Sequence, residues 1–354
     1  YTRCGCSITP CPVDFEDTRQ ETQDIYYRNV TEYEKTGTAT VIDNAGFNHV
    51  FENVKGHYFE IRGGVYGGVF RNVNDKASSV KWRKTDKKNS PYARIYNNNC
   101  ADINVVTDEN YANPAKYKVK NCTITGNQFA SSLDQVEYES CTIKKLNGWT
   151  GIFKNCTITP GEYFRNNMYF YKCTFVGAEE ESDEITIHHL KDSKYGYYGC
   201  NFKAKTVLNE FMTSGTFENC EFADMKITVG AYETVEGVNF KNCNINSSYN
   251  NFIYVGPFAY SVGCTKIKFE DCNITHTGKS LIYLYSKANN NSSIDFENCT
   301  INKTTGNISS GWLNLTNSSE DISVDIRFKG CQVDKSLPKT TQGDETKVRV
   351  TFED

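Results

Sequence analysis

Phe217-Glu-Asn-Cys220, Phe240-Lys-Asn-Cys243 and Phe269-Glu-Asp-Cys272 are three copies of a short pattern that decides the fold. Each copy has an aromatic residue, a polar spacer, Asn or a related residue, and Cys. The other copies vary these positions, and two have Val in place of Cys: Phe51–Val54, Phe70–Val73, Val119–Cys122, Tyr138–Cys141, Phe153–Cys156, Phe170–Cys173, Tyr197–Cys200, Phe296–Cys299 and Phe328–Cys331. Such a recurrence predicts a repeat protein in which each copy occupies the same place in a stacked unit.

The distance between copies changes along the chain. It is 15 residues from Cys141 to Cys156 and 32 residues from Cys299 to Cys331. Packed helical repeats have nearly fixed lengths, whereas the coils of a β-helix tolerate connections of different length between their strands. The spacing therefore favours a β-helix.

Each copy has the features of a sharp bend between two short strands. The aromatic ring, the Cys and the Ile that often follows alternate with polar residues, so they point into one core. Asn, Asp and Gly tolerate the left-handed conformation that the bend needs. Stacked coils would place Asn over Asn in a hydrogen-bonded ladder. Cys is interpreted as a small buried hydrophobic residue, since Val54 and Val73 fill the same slot, and Cys100 as a degenerate copy.

The pattern resembles the pectate-lyase-like β-helix proteins over about residues 46–334. That group includes polysaccharide lyases and hydrolases, phage tailspikes and fibres, and bacterial surface adhesins. The resemblance implies an all-β fold, a right-handed parallel β-helix (solenoid) of about twelve coils, and it assigns no single activity. We expect an N-terminal cap or attachment segment over 1–45, the β-helix over 46–334, and a C-terminal strand or cap over 335–354.

Composition argues against some classes of binding partner. The net charge is −4 and no basic block occurs, which predicts no nucleic-acid partner. No apolar run approaches the ~18 residues of a membrane span, so we expect no membrane insertion. Cys4, Cys6 and Cys11 lie close together, but their spacing is a poor match to zinc sites, so disulfide-bonded, free and metal-bound states stay open. We assign no metal and expect no cofactor.

A catalytic site is not evident in the sequence. Enzymes of the resembled group carry carboxylates on the outer face of adjacent coils. The phrases Asn-Thr-Asp, Gly-His-Gly and Arg-Ile-Lys, which the resemblance suggests, are absent. Asp295, Asp321 and Asp325 are expected at outward positions of the last coils, where two of them could approach each other if stacked, with their repulsion relieved by solvent, Arg327 or a metal.

His188 is the other catalytic candidate. It is expected to face outward near Glu184 or Glu210, where it would transfer protons, or to be a solvated residue beside a loop. The acidic run over residues 179–184 is interpreted as an exposed loop. We assign no catalytic residue.

A third strand in the late coils carries a candidate binding face. Period-two alternation over 252–255, 281–285 and 311–315 places these residues outward: Tyr254, Tyr283, Tyr285, Trp312 and Asn314. Rings with a polar edge suit sugar faces or protein partners. Cover by a loop, a subunit interface and ligand stacking each explain such a stripe, and Tyr169 and Tyr171 would extend it into earlier coils.

These features predict a non-catalytic fibre or spike protein, exposed on a phage virion or a cell surface, that binds a glycan or receptor. The viral part of this hypothesis follows from the resemblance alone. An extracellular or virion-surface location and a homo-oligomer, most simply a trimer, accompany it. The alternatives are a polysaccharide lyase or glycoside hydrolase, and an architectural filament or coat subunit.

Overall fold

The computed structural model describes only part of the chain. The described residues are 26–28, 40–43, 47–55, 59–62, 66–83, 93–96, 99–106, 117–130, 136–148, 151–164, 168–189, 194–210, 214–229, 237–255, 266–286, 292–303, 313–317, 324–333, 339–343 and 348–354. Side-chain surroundings are described from Val119 onward. No helix occurs within these ranges, and strands occupy most of them.

The chain forms two compact units, and the first covers Tyr1–Tyr163. Its strands are β1 (Tyr26–Arg28), β2 (Thr40–Asp43), β3 (Phe47–Lys55), β4 (Phe59–Arg62), β5 (Tyr66–Arg83), β6 (Ala93–Tyr96), β7 (Asn99–Val106), β8 (Tyr117–Lys120), β9 (Thr123–Ala130), β10 (Glu137–Glu139), β11 (Thr142–Gly148), β12 (Gly151–Lys154) and β13 (Thr157–Phe164), which ends at the boundary. Two parallel columns run through the unit, β1–β3–β5–β6–β8–β10–β12 and β5–β7–β9–β11. β2 and β4 pair separately, also in parallel.

The second unit covers Phe164–Asp354. Its strands are β14 (Met168–Tyr171), β15 (Thr174–Phe175), β16 (Ile185–His189), β17 (Lys194–Tyr198), β18 (Asn201–Glu210), β19 (Ser214–Glu218), β20 (Glu221–Val229), β21 (Gly237–Lys241), β22 (Asn244–Ser247), β23 (Asn251–Val255), β24 (Lys266–Glu270), β25 (Asn273–His276), β26 (Ser280–Ser286), β27 (Ser292–Glu297), β28 (Thr300–Lys303), β29 (Leu313–Asn317), β30 (Val324–Lys329), β31 (Lys339–Gly343) and β32 (Val348–Glu353).

The strands of the second unit form three parallel columns. The motif column contains β14, β17, β19, β21, β24, β27, β30 and β32. The second column contains β15, the first halves of β18 and β20, then β22, β25 and β28. The third column contains β16, the second halves of β18 and β20, then β23, β26, β29 and β31.

This pairing confirms the predicted all-β parallel β-helix class, because strands that follow one another along the chain lie in different columns and pair with the next circuit. The predicted C-terminal strand is β32, which pairs in parallel with β30 and so continues the motif column. The number of coils, their handedness, the cap over 1–45 and the two boundaries between the predicted segments stay predictions.

A continuous stack of rings fills the inner side of the motif column in the second unit. Phe217, Phe240 and Phe269 are in register, with ring centroids 4.8 Å apart at each step and planes within 10°. The same inward stack includes Phe170, Tyr197, Phe296, Phe328 and Phe352. The spacing of the rings equals the ~4.8 Å between paired strands, so each ring packs on its two neighbours without leaving a gap.

The residue before each repeat Cys has the left-handed conformation that the sequence predicts. Its φ lies between 50° and 55° at Asn121, Ser140, Asn155, Lys172, Asn219, Asn242, Asp271 and Asn298, and at 61–62° at Gly199 and Gly330. At nine of these bends the backbone N–H donates to a carbonyl of the next coil, as Asn219 does to Lys241 at 2.9 Å. The bend is therefore part of the hydrogen bonding between coils.

The repeat cysteines are free thiols in the described part of both units. Nine are buried and Cys331 is half-buried. Each Sγ lies near main-chain oxygens, as Cys220 Sγ does to the carbonyl of Tyr197 at 3.3 Å. The contact with the Cys272 thiol, reinforced by burial, raises the pKa of Cys299 to about 12. Cys299 is therefore a neutral thiol at pH 7, and the burial of the column agrees with the interpretation of Cys as a small hydrophobic core residue.

The interpretation of Cys100 as a copy of the repeat Cys is wrong. Cys100 is in register with Ile124, which lies two residues beyond the repeat Cys122. Ile95 is in register with Val119, so the degenerate copy begins at Ile95 and ends before Cys100. The run Asn97-Asn98-Asn99 hid this offset, because any of its residues fits the bend chemically.

Candidate binding face on the third column

One row of outward residues runs along the third column of the second unit. Backbone register aligns these residues on successive coils: His188, Asn209, Thr228, Tyr254, Tyr283 and Asn314. All six side chains are half-buried. Neighbouring members are one strand spacing apart, ~4.8 Å, so the row presents one polar or aromatic group per coil.

Strand alternation explains why these side chains face outward. Ile227, Ile253, Ile282 and Leu313 each precede a member of the row, and all four are buried in the core. The next residue along a strand must point to the opposite side. The sequence-predicted orientation of Tyr254, Tyr283 and Asn314 is therefore confirmed.

Tyr254 and Tyr283 stack on each other within this row. Their ring centroids are 5.4 Å apart and their planes differ by 16°. In this arrangement each ring covers one face of the other, while the second face of each ring is directed along the row. The stacking therefore leaves two of the four ring faces uncovered by the partner ring.

The structure places the remaining predicted binding residues as follows. Tyr285 lies on β26 in register with Thr316, and its side chain is outside the described residues. Trp312 also lies outside them. Asn314 is in register with Tyr283, directly one coil further along.

The expected extension of the stripe through Tyr169 and Tyr171 is wrong. Both residues lie on β14 in the motif column, on either side of the inward Phe170, and not in the third column. Tyr171 stacks on Tyr198 at 5.1 Å and forms a second tyrosine pair on a different face. Sequence alternation alone fixed their outward direction but did not reveal which column they belong to.

His188 joins the row that contains the tyrosines, which the sequence analysis did not anticipate. Its neighbour Ile187 is buried and His188 is half-buried, as expected for an outward residue. Glu184, one of its predicted partners, instead accepts a hydrogen bond from the Tyr249 hydroxyl at 2.9 Å. Sequence reasoning would have found this arrangement only by aligning the third strands of successive coils despite their unequal lengths.

A polar cluster lies beside the row and holds the acidic loop. Lys226, two residues before Thr228, has its Nζ 4.7 Å from the centre of the Tyr249 ring. Burial, followed by the hydrogen bond to Glu184, raises the pKa of Tyr249 above its ordinary value. Asp183 Oδ2 accepts hydrogen bonds from the backbone of Glu179 at 3.1 Å and Glu180 at 2.8 Å. The acidic run is thus an exposed loop with its own turn, as predicted.

The outward side of the motif column has a different chemistry, because its charges pair with each other. Lys268 Nζ lies 3.1 Å from Glu270 and 2.9 Å from Glu297. Lys241 also pairs with Glu270, and Lys329 with Glu297. The hydrogen bonds from Lys268 are the main cause that lowers the pKa of both carboxyl groups.

Asp295 and Asp325 are not stacked directly on each other, and both contact Arg327, one of the groups expected to relieve their repulsion. Register places Asp295 beside Arg327, with Ser293 beside Asp325. Arg327 lies 3.7 Å from Asp295 and 3.1 Å from Asp325, and Arg349 binds Asp325 at 2.8 Å. Hydrogen bonds from Arg349 and then Arg327 hold the pKa of Asp325 below its ordinary value, so this group is a carboxylate and not a proton donor. Asp321 lies outside the described residues.

Two further features concern ligands and membranes. Among the residues that the structure describes, no group of three or more His, Cys, Asp or Glu side chains is arranged to hold a metal ion. Cys4, Cys6 and Cys11 lie outside those residues. Within the same ranges, no helix has the length and apolar character to cross a membrane.

Comparison with known proteins adds no relative: no protein-family model, curated protein or solved structure matches the chain. The class that the structure itself defines is the parallel β-helix, with a row of polar and aromatic outward residues on its third column. The pectate-lyase-like resemblance beyond this class stays a prediction.

Proposed function

We propose that the protein is a non-catalytic, surface-exposed structural and binding protein of the fibre or spike type. In this proposal the row from His188 to Asn314 binds a cell-surface glycan or receptor. A parallel β-helix suits the role because each coil repeats the same backbone, so that outward side chains line up into an extended face.

The observation that carries the proposal is the contrast between the two faces. On the motif column, charged side chains such as Lys268 and Glu297 satisfy each other. On the third column, the stacked Tyr254 and Tyr283 continue into Thr228 and Asn314, which carry no charge. Partly exposed rings beside short polar groups are the usual composition of a surface that recognises sugars or proteins.

A glycan array with the full chain tests this proposal. We expect the chain to bind glycans, and Tyr254→Ala or Tyr283→Ala to weaken that binding at least tenfold. Tyr171→Ala is the matched control, because Tyr171 also belongs to a stacked, outward tyrosine pair but lies on the motif column. Loss of binding in the control with retention in the other two variants would contradict the proposal.

The enzyme alternative has its own readout. The polysaccharides that bind are incubated with the chain, and product length is followed by chromatography. Unchanged length supports a binding protein, whereas release of oligosaccharides would make the protein a lyase or hydrolase. The second alternative, an architectural subunit, predicts filaments in electron micrographs and no glycan binding. Light scattering measures the expected homo-oligomer.

A further inference from the structure

Each ring of the tyrosine pair has one face that the other ring does not cover. The residue one coil before Tyr254 is Thr228, and the residue one coil after Tyr283 is Asn314. Neither side chain has a ring, so neither can cover the adjacent aromatic face as Tyr254 and Tyr283 cover each other. Along the row, the outer face of each ring is therefore directed toward a short side chain with a hydrogen-bonding group.

We infer that these two places are saccharide subsites. One consists of the outer face of Tyr254 with the Thr228 hydroxyl, and the other of the outer face of Tyr283 with the Asn314 amide. The inference rests on the proposed function and specifies how this face would bind. A sugar ring presents C–H groups to an aromatic face and hydroxyl groups at its edge, and the hydroxyl and amide can both donate and accept hydrogen bonds.

The same residues indicate the chemical class of the ligand, an uncharged oligosaccharide. No residue of the row from Thr228 to Asn314 carries a charge at neutral pH. Lys226, two residues before Thr228, has its ammonium group over the Tyr249 ring, so an acidic sugar on the tyrosine pair would lose hydration without a cation of the row as its partner. Three coil steps separate Thr228 from Asn314, or ~14 Å at ~4.8 Å per step. A ligand that fills both subsites must therefore be a chain of several sugars along the row.

Substitution of Asn314 by an aromatic residue separates this arrangement from a simple aromatic stripe. In Asn314→Tyr the new ring would continue the stack and cover the outer face of Tyr283. We expect binding to weaken about tenfold, which corresponds to ~1.4 kcal/mol. Thr228→Tyr should do the same at the other subsite. If binding depended only on the number of exposed rings, both variants would bind more tightly.

The probe is the uncharged oligosaccharide that gives the strongest array signal with the unaltered chain, and affinity is measured by calorimetry. Thr340→Tyr is the matched control, because Thr340 is in register with Asn314 one coil further away and a ring there leaves Tyr283 uncovered. Its affinity should be unchanged. The unfolding midpoint of every variant is measured, and if Asn314→Tyr fails to fold, Thr228→Tyr decides the result.

The outcomes distinguish a failure of the proposed function from a failure of the two subsites. If the unaltered chain binds no glycan, the proposed function fails and the subsites fail with it. If it binds uncharged glycans and the two Tyr variants bind equally well or better, the subsites are overturned and the proposed function stands. Binding that is confined to acidic glycans overturns the ligand class alone.

Discussion

The side chain of Asn242 donates a hydrogen bond from Nδ2 to Oδ1 of Asn219 on the neighbouring coil, at 2.6 Å. Both residues occupy the bend and have φ of 50° and 55°. The predicted Asn ladder is therefore confirmed at this pair. It combines a backbone conformation that Asn tolerates with a contact that only stacked coils can form.

Lys172 occupies the same left-handed bend with φ of 52° but lacks these advantages. We expect Lys172→Asn to raise the free energy of unfolding by about 1 kcal/mol, because a long side chain pays more for this conformation than Asn does. Denaturant unfolding measures the change. Lys203→Asn is the control, since Lys203 is an exposed strand residue, and it should give no gain. Equal stabilisation by both substitutions would show that the bend is not the cause.

The aromatic stack makes Phe240 a sensitive position. Its ring packs between Phe217 and Phe269 with no exposure. Phe240→Ala should cost about 3–5 kcal/mol, and Phe240→Leu clearly less, because it leaves a smaller cavity. The unfolding midpoint of each variant is compared with that of Asn239→Ala, an exposed neighbour. A small loss in Phe240→Ala would mean that adjacent coils collapse onto the space.

Thiol reactivity should follow position in the cysteine column. Cys331 is the half-buried member, while Cys220 and Cys299 are buried. A brief pulse of iodoacetamide at pH 8 should label Cys331 first, and slowly, since contact with the Cys299 thiol and burial raise its pKa. Mass spectrometry of peptides reads the pattern, and denatured protein gives the complete reaction. Labelling of Cys220 as fast as Cys331 would contradict a packed column.

Asp325 should give the fold an acid-sensitive contribution. The pKa of Asp325 is lower in the folded chain than its ordinary 3.8, so the ion pairs with Arg349 and Arg327 stabilise the fold above that pH. The contribution is lost as the pH falls through the folded-state value. Asp325→Asn should therefore cost up to about 1 kcal/mol at pH 7 and less at about pH 2.

Unfolding curves at the two pH values measure this difference. Glu221→Gln, an exposed carboxyl on β20, is the control for a general effect of charge. The same loss at both pH values would show that Asp325 stabilises by packing and not by its charge.

The sequence predicted the features that each repeat copy carries within itself. The inward ring, the left-handed bend and the buried thiol all follow from a few neighbouring residues, and so does the outward direction of Tyr254 and Tyr283. What the sequence left open depends on register between coils. Connections of unequal length decide that register, which is why Cys100 and Tyr171 were assigned to the wrong positions and why His188 was not placed beside the tyrosines.

The ion pairs and the hydrogen bond between Tyr249 and Glu184 also could not be predicted from the sequence. Glu184 and Tyr249 are 65 residues apart and meet only because the third column brings their coils together. Asp295 and Asp325 have equivalent sequence contexts, yet register offsets them by two positions and places Arg327 beside Asp295. Local alternation predicts the side of the strand to which a residue points. The residue that it contacts on the next strand can be read only from the folded structure.

Connections of different length join strands that nevertheless keep the same register. Residues 256–265 separate β23 from β24, and half as many, 287–291, separate β26 from β27, while Phe240, Phe269 and Phe296 remain aligned. The alignment is therefore a property of the coils and not of the segments between them. Connections of this kind should accept foreign peptides. The protein could then serve as a scaffold that displays a grafted epitope at a chosen coil.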